Sequence, residues 1–127
     1  MMRLLIVLAA AAALAGCGTE PMRELEALFK LNRGEAALAS GLKQYEEGRY
    51  AESLKNLQSA IGQGLGERDR VTAHKHVAFI HCAQSRERAC RDEFRKALKI
   101  DPAMELAPAE AGHPIWGPVF RSVKAGR

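Results

Sequence analysis

The chain has 127 residues, a formal net charge of +4, 6% aromatic residues, 5 Pro and 11 Gly. It is too short for a two-domain enzyme with separate cofactor and substrate domains, and too poor in Pro and Gly for a fibrous or disordered chain. Few aromatics alongside plentiful Ala, Leu, Glu, Lys and Arg favour helices over a sandwich or barrel, so an all-α domain is predicted.

Residues 1–16 combine a basic start at Arg3, an apolar run from Leu4, and a small-residue ending before Cys17. This is the pattern of an export signal, and the run is shorter than the roughly 20 residues a membrane-spanning helix needs. Leu14-Ala15-Gly16-Cys17 resembles a bacterial lipobox, in which small side chains fit the signal peptidase and the cysteine thiol is alkylated by a diacylglycerol. That resemblance implies a mature chain of 111 residues beginning at Cys17, the only covalent group being lipid on that residue. Several acyl chains, each contributing about 0.8 kcal/mol per buried methylene, make a durable anchor. Gly18 follows, rather than the Asp that commonly retains such lipoproteins at the inner membrane, so the expected location is the periplasmic face of the outer membrane. Export excludes nucleic acid as a partner.

Residues 17–34 then read as a lipidated tether with a short helix near Met22 to Leu31, where Leu25, Leu28 and Phe29 recur at helical spacing. Asn32-Arg33-Gly34 is expected to interrupt it, opening a domain over residues 35–127. Within that domain a second helix runs from Glu35 to about Glu47, broken by Gly48. A third runs from Tyr50 to about Gly62, followed by a glycine-rich loop to Gly66. Helix resumes from Glu67 to about Gln84, Ser85 is placed to cap a helix ending near Lys99, and Asp101-Pro102 marks a turn. Pro114 opens a final helix over Ile115 to Lys124.

An internal repeat appears at an offset of 37: Gly41 with Ala78, Gly48-Arg49 with Ser85-Arg86, Ser53 with Cys90, Leu57 with Phe94, and Ala60-Ile61 with Ala97-Leu98. These residues resemble the tetratricopeptide repeat, whose usual period is about 34, so three extra residues are expected in the loop of residues 62–66. Small residues let paired helices approach, while Leu57 and Phe94 fill the space between hairpins. The expected fold is thus two tetratricopeptide-like hairpins with flanking N-terminal and C-terminal capping helices. Two repeats leave both ends of the stack open. Met104, Leu106, Ile115, Trp116, Val119, Phe120 and Val123 are candidates to close one end, and Leu25, Leu28 and Phe29 the other.

Cys82 and Cys90 fall on the two helices of the second hairpin, and the oxidising periplasm favours a disulfide between them, with two buried thiols as the alternative. His74, His76 and His81 share no helical face, so no metal site is expected. No nucleophile elbow, phosphate loop or metal motif occurs, and no catalysis or small-molecule substrate is expected. Charge is uneven: residues 18–67 carry −2, residues 68–99 carry +5, and residues 100–127 are neutral. Arg86, Arg88, Arg91 and Arg95 are therefore candidates for contacting an acidic protein or envelope surface, against the plainer reading of solvated helix faces. Tyr45 and Tyr50 are read as repeat packing in preference to ligand contacts.

From His76-Val77-Ala78-Phe79-Ile80-His81-Cys82 through Phe94 and Asp101-Pro102 to Gly112-His113-Pro114-Ile115-Trp116-Gly117-Pro118, the chain resembles the TssQ-like lipoproteins associated with type VI secretion systems. That resemblance implies a non-enzymatic adaptor or scaffold in the envelope portion of the machine, with protein partners, and draws attention to His113 and Trp116. The competing expectation is a periplasmic carrier or chaperone, or an outer-membrane assembly factor, that holds client peptides in the helical groove.

Overall fold

A computed structural model describes residues 20–127, so Cys17 and the expected signal lie outside the described residues. Its helices are α1 (Glu20–Glu46), α2 (Tyr50–Gln63), α3 (Glu67–Ala83), α4 (Glu87–Ile100), the short α5 (Pro108–Ala111) and α6 (Trp116–Lys124), and the described residues contain no strand. The helices pair as α1 with α2 and α3 with α4; α2 stacks on α3, and α6 lies mainly on α4. The fold is all-α, built on two tetratricopeptide-like hairpins with flanking helical segments. Among the described residues, no helix is long and apolar enough to cross a membrane.

The offset of 37 holds at the level of individual hydrogen bonds. Arg49 N–H donates to the Gln44 carbonyl at 2.8 Å, and Arg86 N–H to the His81 carbonyl at 2.8 Å. Gly48 and Ser85 N–H donate to the carbonyls of Tyr45 and Cys82 at 3.0 and 3.1 Å. Both turns are thus Schellman closures, which need a left-handed residue just past the helix end. Gly48 supplies it at φ 75°, and Ser85 at φ 62°. The expected N-cap role of Ser85 is corrected: Arg86 occupies that position, without a side-chain cap, and Ser85 performs the task of the missing turn glycine.

The interruption expected at Asn32-Arg33-Gly34 does not occur, and α1 runs unbroken through it. Gly34 is buried where α1 crosses the end of α2, and a Cβ there would collide with the Gly64 carbonyl oxygen. Gly34 is therefore a close-approach residue rather than a helix breaker, its propensity cost of about 1 kcal/mol outweighed by packing. Gly41 performs the same service further along, where a Cβ would sit 2.8 Å from the Leu57 side chain.

Helix α3 serves both halves of the core. Ala73, Val77 and Ile80 pack with Leu38, Leu57, Ala60 and Leu65 of the first hairpin. Ala78, Phe79 and Cys82 pack with Cys90, Phe94 and Ala97, and with Met104, Leu106, Phe120 and Val123 of the tail. A helix apolar on both flanks is a buried helix, which explains why α3 lacks one clean apolar stripe. The tail thus closes the second hairpin, with Phe120 set edge-on to Phe94 at 5.3 Å, but Ile115 takes no part: it precedes α6 and stays 50% exposed. Leu25, Leu28 and Phe29 do not close the other end: they lie on the first half of α1 and are 48%, 63% and 58% exposed.

Candidate protein-interaction face

The seams that hold the hairpins differ chemically at equivalent positions. In the first, Ser53 Oγ donates to the Gly41 carbonyl at 2.7 Å while fully buried. In the second, the residue equivalent to Ser53 is Cys90, which is bonded to Cys82 across the turn with Cα atoms 5.2 Å apart. A hydroxyl can satisfy itself on a backbone carbonyl at this close approach; a thiol gains more from a partner thiol.

Along one side of the molecule runs a continuous series of rings. Tyr50 at the start of α2 meets Tyr45 near the end of α1, centroids 5.7 Å apart. Tyr45 meets His76 of α3 edge-on at 5.0 Å, and His76 meets Phe79 one helical turn later at 5.5 Å. Phe79 stacks on Trp116 at 4.4 Å, and Trp116 stacks on His113 at 3.3 Å. The series crosses from the first hairpin through the second to the tail. Phe79 is buried beneath it, Tyr45, His76, His113 and Trp116 are half-buried, and Tyr50 and Ile115 are 39% and 50% exposed.

Polar contacts fix this face. The Trp116 indole N–H donates to the Glu110 carbonyl at 2.9 Å, and His113 Nδ1 accepts the Ile115 N–H at 3.1 Å. Lys75 Nζ reaches Glu110 Oε1 at 3.2 Å, tying α3 to α5. Gly117 is needed where α6 begins, because a Cβ there would collide with the Ala111 carbonyl. Burial, Tyr50 and the Glu110 carboxylate push the Tyr45 phenol up to about 12, so it stays a neutral hydrogen-bonding group. Burial and then the Lys75 charge hold His76 below its ordinary value, and its Nδ1 lies 2.8 Å from the Thr72 carbonyl. Rings with polar edges, half-desolvated and rigidly held, are the composition of a protein-contact surface.

The arginines singled out by charge do not join this face. Arg95 pairs with Asp92 at 2.9 Å, and Arg86 hydrogen-bonds Gln84. Arg91 donates to Glu87 at 3.0 Å and to Ser122 of α6 at 3.2 Å, so it ties the tail to α4. Arg88 is exposed. His113 and Trp116, by contrast, do come together, joined by Tyr45 and Tyr50, which the sequence assigns to repeat packing, and by His76 and Phe79, to which it assigns no part in this face. The available signal was the spacing of His76 and Phe79, one turn apart on a single helix. The histidines of α3 diverge as their spacing requires: His74 Nδ1 meets Glu93 Oε2 at 2.6 Å, while His81 Nδ1 is buried with no hydrogen-bond partner.

No protein-family model matches the chain, and no solved structure matches it. Comparison with curated proteins finds the photosystem I assembly protein Ycf3 of Synechococcus sp. (strain CC9605), 32% identical over 62 residues. The match covers 49% of this chain, and the chain spans 36% of the length of that relative. The likeness agrees with tetratricopeptide-like helical repeats.

Proposed function

We propose that this protein is a non-enzymatic adaptor that binds a segment of a partner protein across the ring face from Tyr50 to His113. The carrying observation is the unbroken ring series, which spans both hairpins and the tail and leaves apolar faces and polar edges accessible together. In the fuller form of the proposal, lipid on Cys17 holds the domain at the periplasmic face of the outer membrane, where it serves the envelope portion of a type VI secretion system. That part is supported by the lipobox-like Leu14-Ala15-Gly16-Cys17 and by the Gly112 to Pro118 tail.

Crosslinking in native membranes followed by mass spectrometry tests both parts, comparing the full chain with Cys17→Ser and with the face variant Tyr50→Ala/Ile115→Asp. The adaptor reading expects capture of type VI membrane-complex subunits that falls with the face variant, and release of a folded protein by Cys17→Ser. Capture that ignores the face variant would remove the binding site; capture lacking type VI subunits would remove the machine. Similarity to an assembly protein favours a second reading, in which the same face holds incompletely assembled subunits. Capture of several unassembled envelope proteins in place of one finished complex would select it.

A further inference from the structure

The first half of α1 carries an apolar stripe that the domain does not use. Met22, Leu25, Leu28 and Phe29 are 60%, 48%, 63% and 58% exposed, on the stretch of α1 preceding the part that packs on α2. The stripe is not an extension of the hairpin seam. That seam passes through Gly34, Leu38, Gly41 and Tyr45, whereas Leu25, nine residues before Gly34 at about 100° per residue, lies half a circle away. The chain's own second helix therefore cannot cover it without rotating α1 out of its seat.

Charge along the same stretch says what can. Residues 20–26 hold three acidic side chains and one basic, a net −2; residues 27–33 hold Lys30 and Arg33 and no acid, a net +2. Laid side by side in parallel, two such helices would appose like charge with like. Laid antiparallel, each acidic half meets a basic half, and the apolar residues, clustered near the centre, meet one another. A stretch complementary to itself in one orientation is an isologous interface. An anionic bilayer is a poorer match, since the acidic half would face it.

We propose that residues 20–33 of α1 pair antiparallel with the same segment of a second copy, giving a two-fold dimer that leaves the ring face of each protomer free. This does not rest on the adaptor reading. Sedimentation equilibrium of the full chain in density-matched neutral detergent tests it, with far-UV circular dichroism as the control for folding. The expected result is a dimer that Leu25→Glu/Phe29→Glu converts to a folded monomer. Lys30→Glu/Arg33→Glu, which makes both halves acidic, is expected to weaken association about tenfold or more. Adding Glu24→Lys/Glu26→Lys to that variant reverses both halves and is expected to restore the dimer, a rescue that loss of folding cannot imitate. A monomeric parent chain overturns the proposal. So does a dimer indifferent to the stripe, a failure of the rescue, or a monomer whose stripe instead mediates binding to vesicles of neutral and anionic phospholipid.

Discussion

The indole of Trp116 lies face to face with the Phe79 ring, centroids 4.4 Å apart and planes 22° from parallel, so the tail's only Trp rests on the buried centre of α3. This contact joins the second hairpin to the segment that closes it. A two-repeat stack exposes an apolar end unless something covers it, and the covering is achieved by Trp116, Phe120 and Val123 against Phe79 and Phe94.

Trp116→Ala is accordingly expected to cost about 3 kcal/mol and lower the thermal midpoint by roughly 10 °C, read by circular dichroism. Trp116→Phe keeps the stack but removes the indole N–H from the Glu110 carbonyl, which retains only the His113 N–H at 3.1 Å, and should fall between the two. A midpoint unchanged by Trp116→Ala would mean that the tail does not stabilise the hairpins.

Ser85→Gly should raise stability by roughly 0.5–1 kcal/mol, because a serine held at φ 62° bears a left-handed cost that glycine does not. Gly48→Ala at the equivalent turn should lower it by a similar amount. Urea titrations of both variants decide this, and equal signs would show that the two turns are not equivalent.

Gly34→Ala tests the opposite kind of glycine. In an exposed helix interior that change would gain about 1 kcal/mol, but here the new methyl meets the Gly64 carbonyl, so a net loss of roughly 2 kcal/mol is expected. A gain in urea midpoint would instead indicate that α1 and the end of α2 are not in contact.

Breaking the Cys82–Cys90 bridge with Cys82→Ala/Cys90→Ala is expected to cost about 2–3 kcal/mol, the loop-closure contribution for so short a crosslink. Intact mass with and without reduction, after alkylation, checks the bridge directly. Two alkylated cysteines, beyond Cys17, in the unreduced protein would rule it out.

Acidification should destabilise the domain in two stages. His76 and His81 are held below the ordinary histidine value of 6.5, chiefly by burial, so the unfolded chain takes up their protons first. Their contribution is complete above that value and is lost as pH falls from it towards their folded values. Glu93 follows at lower pH: burial alone would raise its carboxyl, but hydrogen bonds from His74 and Lys96 outweigh it and hold the group below its ordinary 4.5. Its contribution is present above 4.5 and lost as pH falls through the depressed value. Thermal midpoints across pH should fall below the histidine range, and His76→Gln should flatten that limb; an unaltered limb would assign the loss elsewhere.

Much of the scaffold was legible from local pattern. Helix periodicity, the glycine at 48, the loop near Gly64 and the small residues at positions 41, 53, 78 and 90 each act over a few residues, so composition and spacing suffice to place the hairpins. The repeat also put Ser85 opposite Gly48, although only backbone geometry shows that serine adopts the glycine conformation there. Gly34 was misread as a break because propensity counts a glycine against a helix, while the compensating approach of Gly64 comes from thirty residues away in the chain.

The tertiary structure alone decided which apolar and aromatic residues are spent on the core and which remain available. Leu25, Leu28 and Phe29 carry the same helical spacing as a core stripe, yet they are exposed because α2 ends opposite Gly34 and leaves the whole preceding stretch of α1 uncovered. Tyr45, His76 and Trp116 are scattered over three helices in sequence and become one surface, over the buried Phe79, only when α6 folds back on α4 and α3. Local sequence determines which helices form and which faces are apolar. What covers each face depends on contacts between distant segments, whose free energy is not encoded in the periodicity of either partner.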